Sequence, residues 1–225
     1  MNKIKECWYN EYLPEIVVSR QKEWPKIFEQ ENGKILIENI NKKIDTKKLK
    51  VIDIGCGACT LAQAFDFNSY TGYDLPHIIE GVSKNLTQDN SFKQNYLTKN
   101  IEFKKGNFYE DDLSFLSGYD AVISSAFLDV SHAPIECLKN ILRYSSSYVL
   151  IHRQLVSSSP TECVPESSYF GQKSSYLSNI NVNDFEKTLK EFRFKKVFDI
   201  LLPDQSISIR NELSYKSSFL LQKIK

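Results

Sequence analysis

No stretch of this 225-residue sequence approaches the roughly 20 consecutive apolar residues that cross a bilayer, so no membrane span is expected. The opening residues, MNKIKECWYNEY, lack the apolar core of a secretory signal, which fits a cytoplasmic location. Charge of one sign is also missing. Lysine and arginine nearly balance aspartate and glutamate, for a net charge of +1. Electrostatic capture of nucleic acid or of an anionic membrane is therefore not expected. The basic residues within 42–50 are interrupted by Ile44 and Leu49 and read as solvated helix and turn positions. Five cysteines, an odd number without framework spacing, imply reduced thiols. Cys56 and Cys59 form a CxxC, but no second pair accompanies them as a zinc site would require. No internal repeat is present.

What is present is an alternation of apolar runs and helical patterns. Strands are expected at 49–54, 70–73, 101–105, 119–124, 148–155, 196–202 and 213–224, and helices at 58–65, 78–86, 134–143 and 182–192. Pro134 suits a first helical turn and Asn183-Asp184 a cap. Residues 1–45 read as an N-terminal helical segment, with apolar positions at helical intervals in 14–30 and 35–44. The rest, 46–225, reads as one α/β domain: a doubly wound, mostly parallel seven-stranded sheet. Its last two strands are joined by a short polar loop at 203–211, too short for a crossover helix, so they should form an antiparallel hairpin. Residues 157–181 are serine-rich and contain Pro160 and Pro165. They read as an insertion without regular structure, serving either as a substrate-side wall or as a surface loop.

The densest signal is Asp53-Ile54-Gly55-Cys56-Gly57, where the first strand runs into a glycine turn that lets backbone approach a nucleotide-like ligand. Asp74 ends the second strand, where an acidic side chain can accept from two ribose hydroxyls. Thr60 stands where a dinucleotide fingerprint has its third glycine, and Asp53 occupies a position that is normally apolar in nicotinamide sites. The segments VIDIGCGACTLAQAF and YTGYDL resemble motif I and the ribose-binding acid of the class I S-adenosylmethionine-dependent methyltransferases.

That resemblance implies S-adenosylmethionine (SAM) as cofactor and methyl transfer to a small polar acceptor, for instance an oxygen on a sugar or pathway metabolite. It further implies that Asp53, Gly55, Cys56 and Gly57 surround the methionine part, with Asp74 on the ribose and Leu75 beside the adenine. Asn107 and Phe108 take the adenine segment after the third strand, and Ser124 and Ser125 the end of the fourth, next to the transferable methyl. A hydroxyl acceptor gains from a general base. All three histidines fall at expected carboxyl ends of strands: His77, His132 and His152. His132 is the candidate base, with Asp129 orienting it or acting in its place. His152-Arg153 could bind an acidic or phosphorylated group, since arginine suits bidentate contact with such groups. Asp129, His132 and His152 carry ligand chemistry, but no metal is expected. The tetrapeptide of base amino methyltransferases is missing, because residues 124–127 read Ser-Ser-Ala-Phe. A small-molecule substrate, no nucleic acid and no membrane are the expected partners; the oligomeric state is left open. The competing readings are an NAD-dependent oxidoreductase and a non-catalytic SAM-binding partner subunit.

Overall fold

The computed structural model describes residues 17, 31–88, 100–166, 175–209 and 212–225, which fall into two compact units, Met1–Asp112 and Leu113–Lys225. The expected helix at 14–30 lies outside the described residues apart from Val17.

The first unit begins with α1 (Glu31–Lys43), whose Leu36 and Ile40 are buried one turn apart. Strands β1 (Lys50–Ile54), β2 (Ser69–Asp74) and β3 (Ile101–Lys105) follow, parallel, with Asp53 opposite Gly72 and Asp74 opposite Lys105. Four of the five β1 residues are buried, as a strand covered on both faces requires. Between β1 and β2 lies α2 (Thr60–Ala64), shorter than the expected 58–65 because Cys59 adopts a left-handed conformation (φ 54°) and Phe65 an extended one. Helix α3 (Pro76–Gln88) buries Ile78, Ile79 and Val82, a face that packs on β2 and β3.

The second unit carries β4 (Ala121–Ser125) parallel to β5 (Tyr148–Ser157), connected through α4 (Pro134–Tyr144). Helix α4 buries Pro134, Cys137, Leu138, Ile141 and Leu142, a stripe of 3.6-residue period. Two strands stand in the segment expected to be irregular: β6 (Glu162–Glu166) and β7 (Ser175–Asn181). Strand β7 runs parallel to β5 and antiparallel to β6, so the described residues hold nine strands. Ser159 and Ser178, two of the serines that suggested a loop, are buried, as is Asn179. Ser178 Oγ donates to the Ser131 carbonyl, and Asn179 Nδ2 donates to the Ser159 and Pro160 carbonyls at 3.1 and 3.0 Å. Leu177, Leu155 and Val164 supply the apolar packing that holds the strands together.

Helix α5 (Val182–Glu191) is capped by Asn181, whose Oδ1 accepts from Asn183 N at 2.9 Å, rather than by Asn183-Asp184. It stacks Phe185 on Phe219, with ring centroids 4.8 Å apart. The antiparallel C-terminal hairpin is present as β8 (Phe194–Ile209) and β9 (Glu212–Lys223). It is longer than expected. After a register shift between Leu202 and Ser206 the ladder resumes, taking residues 206–209 of the expected loop into β8. The α/β fold with mostly parallel strands and an antiparallel C-terminal hairpin is thus the one the sequence implied.

Candidate functional site

In the first unit the end of β2 organises the glycine turn. Tyr73 O accepts from both Gly55 N (2.9 Å) and Cys56 N (3.3 Å), so the chain leaves β1 in a tight curl. Gly55 (φ 65°), Gly57 (φ 49°) and Cys59 (φ 54°) are all left-handed. Two of these three positions are glycine, where that conformation carries no Cβ penalty. Asp74 closes the curl: Oδ2 accepts from Gly57 N at 2.8 Å and Oδ1 from Leu75 N at 2.7 Å. A carboxylate has about four acceptor directions, so two stay available for a ligand. Burial raises the Asp74 pKa to about 6, against the lowering pull of the two N–H donors and of nearby His77.

Asp53 is buried beside the turn. Its Oδ2 accepts from Tyr70 Oη, while its Oδ1 has no hydrogen-bond partner. Burial raises its pKa to about 7, with the Tyr70 bond opposing and the Asp74 charge adding. Thr60 Oγ1, in the first turn of α2, is a second buried polar atom without a partner. Unpartnered buried polar atoms are rare in native interiors and mark places where a ligand or water completes the set.

Cys56 and Cys59 are buried in this turn, and burial pushes both thiols upward, which makes them small packing residues rather than nucleophiles. They rest on Gly72. A Cβ there would lie 2.6 Å from Cys59 Sγ and 2.7 Å from Cys56 Sγ. Gly72→Ala should therefore destabilise the chain by about 1–3 kcal/mol through overpacking and weaken ligand binding at the turn. A denaturation midpoint equal to that of the parent would refute this packing.

After β3, Asn107 Oδ1 accepts from Tyr109 N (3.1 Å), and Phe108 is buried. Asp111, which sequence reasoning missed, accepts from Tyr73 Oη (2.7 Å) and Asn107 N (3.2 Å) and fixes this loop against β2. The signal was Tyr73 itself: a tyrosine in a buried strand needs a partner for its hydroxyl. The same reasoning would have found Tyr70 as the partner of Asp53.

In the second unit Ser124 is buried with an unpartnered Oγ, and Ser125 Oγ lies 2.9 Å from His152 Nδ1. Burial drives the His152 pKa down to about 3, helped by the charges of Arg153 and Lys216. The imidazole is therefore neutral. Asp129 is fully buried, and its Oδ2 meets Lys216 Nζ at 2.5 Å while Oδ1 has no hydrogen-bond partner. Asp129, expected either to orient His132 or to act as the base itself, forms an ion pair to β9. His132 is half-buried and follows a tightly held residue. Ser131 O accepts from Ser178 Oγ, and Ser131 Oγ accepts from Ala133 N at 3.1 Å. The described residues contain no group of three or more His, Cys, Asp or Glu placed to ligate a metal, so Asp129, His132 and His152 are not gathered into such a set. No described helix is long and apolar enough to cross a membrane.

No protein-family model matches the chain, and no curated protein is similar to it in sequence. Solved structures are similar in fold. A SAM-dependent methyltransferase from Methanosarcina mazei superposes with a TM-score of 0.57 at 16% identity, over 82% of this chain and 96% of that one. The magnesium protoporphyrin IX methyltransferase of Synechocystis PCC 6803, crystallised with SAH, gives 0.56 at 12% identity, over 92% and 84%. The N-terminal domain of EvdMO1, solved in the presence of SAH and D-fucose, gives 0.57 at 13% identity, over 87% and 84%.

Proposed function

We propose that this chain, whose fold is that of the SAM-dependent methyltransferases, is itself such an enzyme and methylates an oxygen of a small polar acceptor. The observation that carries the reading is the Asp74 carboxylate locked across the glycine turn by Gly57 N and Leu75 N. This arrangement leaves an acidic acceptor pre-oriented beside backbone that carries no Cβ, as a ribose diol next to a nucleoside requires. The residues present fit the group: Asp53 Oδ1 and Thr60 Oγ1 are buried acceptors awaiting partners, and the ammonium of the methionine part can supply protons to them. When bound, the cofactor supplies an electrophilic methyl carbon on a sulfonium.

The chain's own residues then have separate tasks. Asp74 holds the ribose, and Asp53, Gly55, Cys56 and Gly57 shape the methionine side. Leu75, Asn107 and Phe108 line the adenine side. On the acceptor side His132 removes the hydroxyl proton, Ser124 and Ser125 offer hydroxyl contacts, and Asp129 anchors the segment that precedes His132. His152, neutral at physiological pH, orients rather than abstracts.

Asp74→Ala should weaken SAM binding by about one to two orders of magnitude, the size of a lost charge-assisted hydrogen-bond set, with the fold retained. Isothermal titration checks it, and unchanged affinity would remove the assignment. The pH dependence has a definite sign. SAM is cationic and prefers ionised Asp53 and Asp74, so its affinity should rise through pH 6 to 7 as they lose their protons. The ligand-free protein should trend the other way. A raised folded-state pKa gives stability that is full below the unfolded value of 3.8 and is lost as the pH climbs towards 7.

A further inference from the structure

We infer that Tyr73 is a positioning residue for nucleoside binding: with Asp111 it forms a latch that holds the loop of Asn107 and Phe108 in its binding shape before any ligand arrives. The inference deepens the cofactor reading, and it rests on that reading in taking a nucleoside as the loop's ligand. Tyr73 touches both sides of the site in the first unit. Its carbonyl accepts from Gly55 N and Cys56 N, which sets the curl of the glycine turn. Its phenol reaches the loop after β3, where Oη donates to Asp111 Oδ2 at 2.7 Å. The same oxygen accepts from Asn107 N at 3.2 Å, so one carboxylate oxygen ties strand to loop. Burial, then the Asp111 bond and charge, push the Tyr73 phenol well above its usual range, so it stays protonated and donates.

Gly106 is what admits the phenol. A Cβ there would overlap Asp111 Oδ2 and lie 2.5 Å from Tyr73 Cε2 and 2.6 Å from Tyr73 Oη, so any side chain would displace the latch. The backbone of Gly106 is itself held, its N–H donating to the Asp74 carbonyl at 2.9 Å. Beyond it the loop closes on Asn107. Glu110 N and Asp111 N donate to the Asn107 carbonyl at 3.0 and 2.9 Å, and Tyr109 N donates to Asn107 Oδ1 at 3.1 Å. Phe108, inside this run, is buried. A loop tied in this way is ordered in advance, whereas an untied one must be ordered by its ligand at the expense of affinity. The carbonyl and the hydroxyl of one residue thus set the methionine-side turn and the adenine-side loop together.

Three variants of the full chain test this. Tyr73→Phe removes the hydroxyl and keeps the ring and the carbonyl, Asp111→Leu removes both bonds, and Asp111→Asn keeps an oxygen that can accept them. Amide hydrogen exchange at Tyr109 and Glu110, whose N–H groups bond to Asn107 and not to the latch, is followed without ligand. It should be faster than in the parent for Tyr73→Phe and Asp111→Leu, and unchanged for Asp111→Asn. Calorimetry with adenosine should show about fivefold weaker binding for Tyr73→Phe, the scale of one net hydrogen bond. Binding should be weaker still for Asp111→Leu and parent-like for Asp111→Asn, with SAM following the same order. The inference is overturned if exchange is unchanged in Tyr73→Phe, if that variant binds adenosine as the parent does, or if Asp111→Asn loses as much as Asp111→Leu. If exchange responds as expected but the parent binds neither adenosine nor SAM, the cofactor reading is overturned, and with it the nucleoside as occupant, while the latch stands.

Discussion

His132→Ala should lower turnover by about 10²–10⁴, the usual span for a lost general base, while SAM affinity changes by less than about twofold, within the scatter expected of a group that does not touch the ligand. The position favours such a role because its backbone is pinned on both sides. The Ser131 carbonyl accepts from Ser178 Oγ, and Pro134 begins α4 two residues later. A half-buried imidazole on a fixed segment can be held in productive geometry without ordering a loop at each turnover. Acceptors are found by screening sugars, phosphosugars and hydroxylated metabolites, following release of demethylated cofactor. Wild-type turnover in His132→Ala would place the base elsewhere or leave positioning alone to carry the reaction.

Lys216→Met should be the most damaging single change to stability. Among the described residues it removes the one hydrogen-bond partner of a carboxylate that is fully buried, so Asp129 would be left unpaired in the interior. Breaking such a pair costs about 3–5 kcal/mol, which in a chain of this size lowers the melting temperature by about 6–20 °C. The double variant Asp129→Leu/Lys216→Met should recover most of the loss, because replacing both partners with apolar groups removes the desolvation cost as well. A single variant melting within about 2 °C of the parent, below the shift of one kcal/mol, would mean the pair is hydrated and its link between the 128–130 segment and β9 is unimportant.

The sequence made the glycine turn of the first unit readable because its signals are local. Glycines at 55 and 57 are where positive φ is needed, and Asp74 is fixed by a strand end rather than by distant packing. The surroundings of Asp129 in the second unit are built from long-range pairs. Lys216 meets Asp129 across 87 residues, and nothing in the run Tyr215-Lys216-Ser217 distinguishes a buried lysine from a solvated one. The same limit explains β6 and β7. Serine and asparagine have low strand preference, and only their buried hydrogen bonds to Ser131, Ser159 and Pro160 make an extended conformation stable. The missed partners Tyr70 and Asp111 are intermediate cases. The need of Tyr70 and Tyr73 for hydrogen-bond partners was visible, and Asp53 lay near enough in the pattern to be Tyr70's, but Asp111 is fixed by the fold of the loop after β3.

Strand β6 has one further consequence, for behaviour at high concentration. It ends the strand order of the described sheet, and among the described residues its ladder partner is β7. Such an edge is a template on which another chain can add, the first step towards fibrils. Here the template is defective. Pro165 has no N–H to offer, and the strand is only five residues long. A second copy aligning along it would meet a missing bond, so the strand that ends the described sheet is a poor one on which to extend it.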